Sequence, residues 1–205
     1  LDLLEEFLKN KTFLNNQEER ILKSDGRCIR AIMPVHVQGN IFDFDRFLSI
    51  CNRYNMSFIE DAAEALGSKY RGKSAGSFGK MGVFSFNGNK IISTGGGGVI
   101  VTDDISLAKK AKHITTTAKV DPMTYYHDLV GYNYRLVNVL AAIGVAQMEN
   151  FEIILKRKKE IDAIYRKELV GIGDIIFQEN DPNSDPNCWL FTFRTRKMRE
   201  LLNHL

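Results

Sequence analysis

A lysine, a carboxylate and a hydroxyl sit at the ends of short apolar runs, and together they could do carbonyl chemistry. Lys90 lies in "VFSFNGNKIISTGGGGVIVTDD" (Val83–Asp104), between two strand-like runs and just ahead of four glycines. Asp61 closes "SFIED" (Ser57–Asp61), and Ser85 falls inside "GVFSF" (Gly82–Phe86). A lysine amine condenses with a carbonyl, and a carboxylate facing a pyridine nitrogen keeps that ring protonated and able to accept electrons. A hydroxyl or backbone N–H binds phosphate. These are the needs of pyridoxal phosphate. Residue type and spacing alone leave a blander account open, in which Lys90 is a solvated turn residue and Asp61 caps a helix starting at Ala62.

Other chemistries use the same parts less well. GxxxxGK[ST] is absent, because Gly79-Lys80 is followed by Met81, and Gly95–Gly98 leads into a strand where a dinucleotide loop would open a helix. A metal site from His36, Glu60 and Asp61 lacks a second histidine at a ligand spacing.

Bringing strand ends together takes a sheet, since ligands in open α/β sheets bind beyond the carboxyl ends of strands. The pattern predicts one. Leu3, Leu4, Phe7 and Leu8 recur at helical spacing, and residues 10–27 carry weak signals. "CIRAIMPVHV" (Cys28–Val37) reads as a buried strand. Phe44, Phe47, Leu48 and Cys51 mark one face of a helix over Phe42–Asn55. Ser57–Asp61, Gly82–Phe86 and Gly97–Asp103 read as strands, Ile105–Thr116 as a helix, and Asn138–Leu169 as one long helix or two in series. A strand-like and turn-rich stretch, a strand at Trp189–Thr195 and a last helix follow. Near-continuous apolar strands alternating with helices predict an α/β domain with a largely parallel sheet. The long helix marks a boundary between 1–150 and a small α+β piece, 151–205.

The 205 residues, 44% apolar and 26% charged with a net charge of +3, describe an ordinary soluble domain. The basic cluster Lys156–Glu160 reads as a helix surface, so nucleic acid is not an expected partner. Three scattered cysteines, Cys28, Cys51 and Cys188, form no CxxC pair and suggest a reduced, cytoplasmic protein with cysteines as small core residues. No apolar run approaches a membrane span. The chain begins without Met inside a helical pattern and reads as a fragment.

At "IEDAAEALGSKYRGKSAGSFGKMGVFSFNGNKIISTGGGGVIVTDD" (Ile59–Asp104) the sequence resembles the DegT/DnrJ/EryC1/StrS sugar aminotransferases, which are fold-type I pyridoxal phosphate enzymes. The resemblance extends back to "AIMPVHVQGNIFDFDRF" and forward through "VGYNYRLVNVLAAIGVAQMENFE", with "PVH..G", "EDAA.A.G", "G..G..G.FSF...K....GGGG.IVT.D" and "G.N.R" in order. It implies the fold-type I large domain, its N-terminal portion missing, over 1–150, and a connecting helix with an incomplete small domain over 151–205. It implies that Lys90 is the Schiff-base lysine, Asp61 the partner of the pyridine nitrogen, and Ser85 a phosphate ligand. Asn133, in "GYNYR", would reach the phosphate from a neighbouring subunit of a homodimer. Glu64 stands where many members carry Gln beside the cofactor, and His36 matches a histidine given a supporting role. Gly95–Gly98 would serve close backbone packing and positive φ angles. The implied reaction moves an amino group, from an amino-acid donor such as glutamate, to C4 of a nucleotide-linked 4-keto-6-deoxy sugar. Members with histidine in place of the lysine catalyse dehydration, which Lys90 argues against. A non-catalytic, cofactor-binding or regulatory member is the alternative, and the presence of both Asp61 and Lys90 counts against it.

Overall fold

The computed structural model describes residues 1–121 and 123–205. Helix α1 (Asp2–Lys11) runs into an antiparallel hairpin of β1 (Thr12–Leu14) and β2 (Arg20–Leu22). The hairpin falls in the stretch of weak signals. Its turn is held by the Asn15 side chain, whose carbonyl accepts from the Gln17 and Glu19 N–H groups at 2.9 and 2.8 Å. Helix α2 (Phe44–Arg53) starts at Asp43, whose carboxylate accepts from the Arg46 N–H at 2.9 Å. Then come β3 (Glu60–Asp61), β4 (Lys69–Tyr70), β5 (Lys73–Ser74), β6 (Gly82–Ser85), β7 (Gly98–Val101) and α3 (Ile105–Thr115). Helices α4 (Asn138–Glu149) and α5 (Phe151–Leu169) precede β8 (Ile176–Phe177), β9 (Ser184–Asp185), β10 (Phe193–Arg194) and α6 (Met198–His204).

The sheet that matters for the site has the order β3–β6–β7. β3 and β6 are parallel, with Asp61 opposite Val83, whereas β6 and β7 are antiparallel, with Ser85 opposite Gly98. The predicted strand 28–37 lies beside β3 as an interrupted, parallel edge that bridges at Ile32–Phe58 and Val35–Asp61. Pro34 has no N–H to give, though its carbonyl accepts from the Asp61 N–H at 2.9 Å. Met33 and Val35 are exposed while Pro34 and His36 are buried, so the run is half-exposed, unlike the buried strand its apolar residues predict.

Phenylalanines from α2 fill the space below. Phe44, Phe47, Ile50 and Cys51 are buried, and Leu48 is only partly covered. Phe44 meets Phe78 at 4.6 Å between ring centroids, and Phe47 meets Phe58 edge-on at 5.1 Å. Burying each such ring is worth about 2–3 kcal/mol. A smaller cluster, Ile91, Ile92, Phe151, Leu155 and Trp189, joins the Lys90 loop, α5 and the C-terminal segment. β9 adds to β4, which also ties the C-terminal part to the first part.

Gly76 and Gly82 lie back to back. A Cβ on Gly82 would stand 2.5 Å from the Gly76 Cα and 2.7 Å from its carbonyl carbon, and neither backbone can yield. Gly82→Ala should therefore lower stability by about 3 kcal/mol, measured by denaturant unfolding; a loss within experimental error would refute this packing.

α4 and α5 are two helices, bent by 62° at Asn150. No residue of α4 is buried, and Val139 and Val145 are largely exposed. Among the described residues no single helix is long and apolar enough to cross a membrane.

Candidate active site

The two carboxylates that close the strand after Ser57 point to different tasks. Glu60 is fully buried. One carboxylate oxygen accepts from the Phe78 and Gly79 N–H groups at 2.6 and 2.8 Å, and the other accepts from Gly76 at 2.8 Å and meets His36 Nε2 at 2.9 Å. Burial pushes the Glu60 carboxyl up, but the His36 bond and the three backbone N–H groups outweigh it and hold it below the ordinary range. The glycines of "G..G..G" permit the wrap: Gly76 has φ +79°, and a Cβ on Gly79 would lie 2.8 Å from the Phe58 carbonyl oxygen. His36, itself fully buried, meets Glu60, the residue just before Asp61. Both Glu60 oxygens are committed, which removes the metal reading of His36, Glu60 and Asp61. Among the described residues no group of three or more His, Cys, Asp and Glu side chains is placed to hold a metal ion.

Asp61, at the parallel strand end, is only partly covered. Its carboxylate accepts from the Ala63 N–H at 3.1 Å. Residues 62–68 form turns, so Asp61 caps no helix. Ser85 stands two residues beyond Val83, Asp61's neighbour in register, and its Oγ accepts from the Asn87 N–H at 3.3 Å. A tight turn follows, in which the Lys90 N–H donates to the Asn87 carbonyl at 3.0 Å.

The Lys90 side chain is 12% exposed. Its Nζ lies 3.4 Å from Glu64 Oε1 and 4.4 Å from the centroid of the Trp189 ring. The other Glu64 oxygen accepts from the Gln38 N–H at 2.7 Å, which aims the carboxylate. Gly95 and Gly97 have φ of +81° and +82°, and a Cβ on Gly98 would drive into the Phe84 carbonyl. Three of the four glycines thus answer to backbone geometry, and Gly96 answers to neither. Asn133 is exposed and held apart from this cluster: it bridges to Thr116, and the flanking Tyr132 and Tyr134 N–H groups donate to the carbonyls of Ile114 and Thr115. The structure therefore joins Glu64 to Lys90, sets Asp61 and Ser85 on adjacent strand ends, and leaves Asn133 against the end of α3. Burial pushes the Cys51 and Cys188 thiols up to about 11, so neither is a nucleophile. Only Cys51 is a buried core residue; Cys28 and Cys188 are half-covered.

Sequence reasoning weighed Glu60 only as a metal ligand and missed its backbone-bound role, and it missed Asn187 and Trp189 altogether. A buried glutamate followed by glycines spaced three apart is a usable signal for the first. Nothing local marks the other two, which lie about a hundred residues from their partners.

A mixed α/β sheet with aspartate and serine on parallel strand ends, and a lysine in the turn that follows, is the large-domain architecture of fold-type I pyridoxal phosphate transferases. The chain belongs to the DegT/DnrJ/EryC1/StrS aminotransferase family, whose model matches residues 12–205. It is 40% identical over 179 residues to the GDP-perosamine synthase of Escherichia coli O157:H7, covering 86% of this chain and 49% of that protein. It is 34% identical over 169 residues to the UDP-4-amino-4,6-dideoxy-N-acetyl-beta-L-altrosamine transaminase of Campylobacter jejuni, covering 80% and 45%. Among solved structures, S. venezuelae DesV superimposes with a TM-score of 0.79 at 32% identity, over 85% of this chain and 47% of that one. The chain spans about half the length of the curated relatives it matches.

Proposed function

We propose that this chain carries the lysine-bearing part of an aminotransferase that moves an amino group, from glutamate, to the C4 keto group of a nucleotide-linked 4-keto-6-deoxy sugar for bacterial surface-glycan synthesis. The observation that carries this reading is the placing of Asp61 and Ser85 on the adjacent ends of β3 and β6, with Lys90 in the turn that follows β6 and its amine 3.4 Å from Glu64. By donor chemistry they fit pyridoxal phosphate: an amine for its aldehyde, a carboxylate for its ring nitrogen, and a hydroxyl for its phosphate. The bound cofactor supplies an electron sink. Lys90 Nζ takes and returns the proton at the substrate carbon, as base and then acid. Glu64 orients that amine from 3.4 Å. The names of the two curated relatives support a sugar substrate, and the C. jejuni product carries a 4-amino group by name.

The exposed apolar surface of α4 supports a homodimer in which Asn133 of one copy reaches the phosphate in the other, and the three free cysteines support a cytoplasmic location. We read 1–150 as part of the large, cofactor-binding domain and 151–205 as the connecting helix with part of the small one.

The test incubates the chain with pyridoxal phosphate, glutamate and a UDP-linked 4-keto-6-deoxy sugar, and follows the amino sugar by mass spectrometry. Absence of both a Lys90-dependent visible absorbance band and any glutamate-dependent amino sugar removes the reading. Asp61→Ala should keep the fold and the band yet slow amino transfer about 10²-fold or more, because a preorganised charge partner is lost. A rate unchanged from wild type takes Asp61 out of the mechanism.

A further inference from the structure

We infer that Trp189 is a positioning residue for Lys90, fixed by the main chain and presenting its ring face to the amine. The indole N–H donates to the Asn89 carbonyl at 2.6 Å, so the ring is anchored to the residue just before Lys90. Its own backbone N–H donates to Asn187 Oδ1 at 3.0 Å. Asn187, fully buried, donates from Nδ2 to the Glu64 and Leu66 carbonyls at 2.8 and 2.9 Å, and from its N–H to Ser68 Oγ at 3.0 Å. One three-residue segment therefore grips the backbone of both Glu64 and the Lys90 turn.

None of these anchors involves the ammonium group. The place of the ring is set whether or not Lys90 is charged, and with 5% of Trp189 exposed the ring has little freedom to move. Lys90 Nζ, 4.4 Å from the ring centroid, lies within the range of a cation–π contact, which is strongest for tryptophan and stronger when water is partly excluded. Glu64 and Trp189 together restrict a side chain that otherwise samples many rotamers. The role rests on the reading that Lys90 is the working amine.

Limited acetylation of the whole chain with acetic anhydride tests it, read by peptide mass spectrometry as the ratio of Lys90 to the exposed Lys73. Trp189→Leu should raise that ratio about fivefold, whereas Trp189→Phe, which keeps an aromatic face, should stay within about twofold of wild type. An unchanged ratio in a folded Trp189→Leu protein overturns the inference. Should that variant unfold, Lys90→Met in the otherwise native chain decides, because Trp189 is the sole tryptophan. Its emission should rise when the neighbouring ammonium is removed, and unchanged emission overturns the inference. Neither measurement needs pyridoxal phosphate. Failure of the aminotransferase reading would appear separately, as no Lys90-dependent absorbance while the Trp189 contact persists.

Discussion

Lys90→Ala protein mixed with pyridoxal phosphate should show no visible absorbance band, and glutamate-dependent amino transfer should fall by about 10²–10⁴-fold or more. The size follows from the double use of one group. The amine that captures the cofactor aldehyde is the amine that handles the proton, so its loss removes both functions at once. Lys90→Arg is the sharper comparison: it keeps a cation for Glu64 and Trp189 yet cannot condense with an aldehyde. It should fold like wild type and be equally inactive. Lys73, whose Nζ lies over the Phe78 ring at 4.7 Å, provides the control, and Lys73→Ala should leave the band unaltered. A band that persists in Lys90→Ala would mean that another lysine holds the cofactor.

Glu60→Gln should cost about 3 kcal/mol of stability, measured by urea unfolding at neutral pH. The carboxylate accepts from three backbone N–H groups and meets His36. An amide offers one accepting oxygen, and its NH2 would face N–H groups that also donate. Whichever way it turns, at least one buried N–H loses its acceptor. The pH dependence gives an independent check. The folded Glu60 carboxyl is held below its ordinary value of 4.5, so the unfolded chain takes up the proton first. Its contribution is therefore complete above the ordinary glutamate range and is lost as pH falls through that range towards the lowered folded value. Wild type should lose stability across this window, and Glu60→Gln should lose less. Parallel acid profiles for the two proteins would discard the buried carboxylate as a stabilising element.

The contrast between Glu60 and Asp61 marks what was legible in the sequence. Strand and helix positions along β3, β6 and α2 followed from apolar runs, because these segments send side chains into the core, whereas β7 was found from an apolar run that the structure leaves mostly exposed. The positions of Asp61 and Ser85 on adjacent strands followed in the same way. The β1–β2 hairpin escaped because Arg20, Ile21 and Leu22 are only half-buried and its turn depends on one asparagine side chain. The strand at 28–37 was misjudged because an apolar run does not say which of its faces is covered. Glu60 entered only as a candidate metal ligand beside His36 and Asp61, whereas its environment comes from backbone N–H groups, which no side-chain pattern records. Asn133 illustrates the converse. Its assignment came from resemblance alone, and within one chain it lies against α3.

The grip of Asn187 and Trp189 on Glu64 and Asn89 has a consequence in time. These bonds join residues 123 and 100 positions apart, so each closes a long loop of chain. The entropy of closure grows with loop length, and contacts of high sequence separation are slow to form. The β6–β7 hairpin and the Lys90 turn need only local pairing and come earlier. The lysine is thus presented on a locally paired scaffold but acquires its tryptophan neighbour when the C-terminal segment arrives. A single tryptophan rides on that segment, and the slowest phase of its emission during refolding dates the completion of the site.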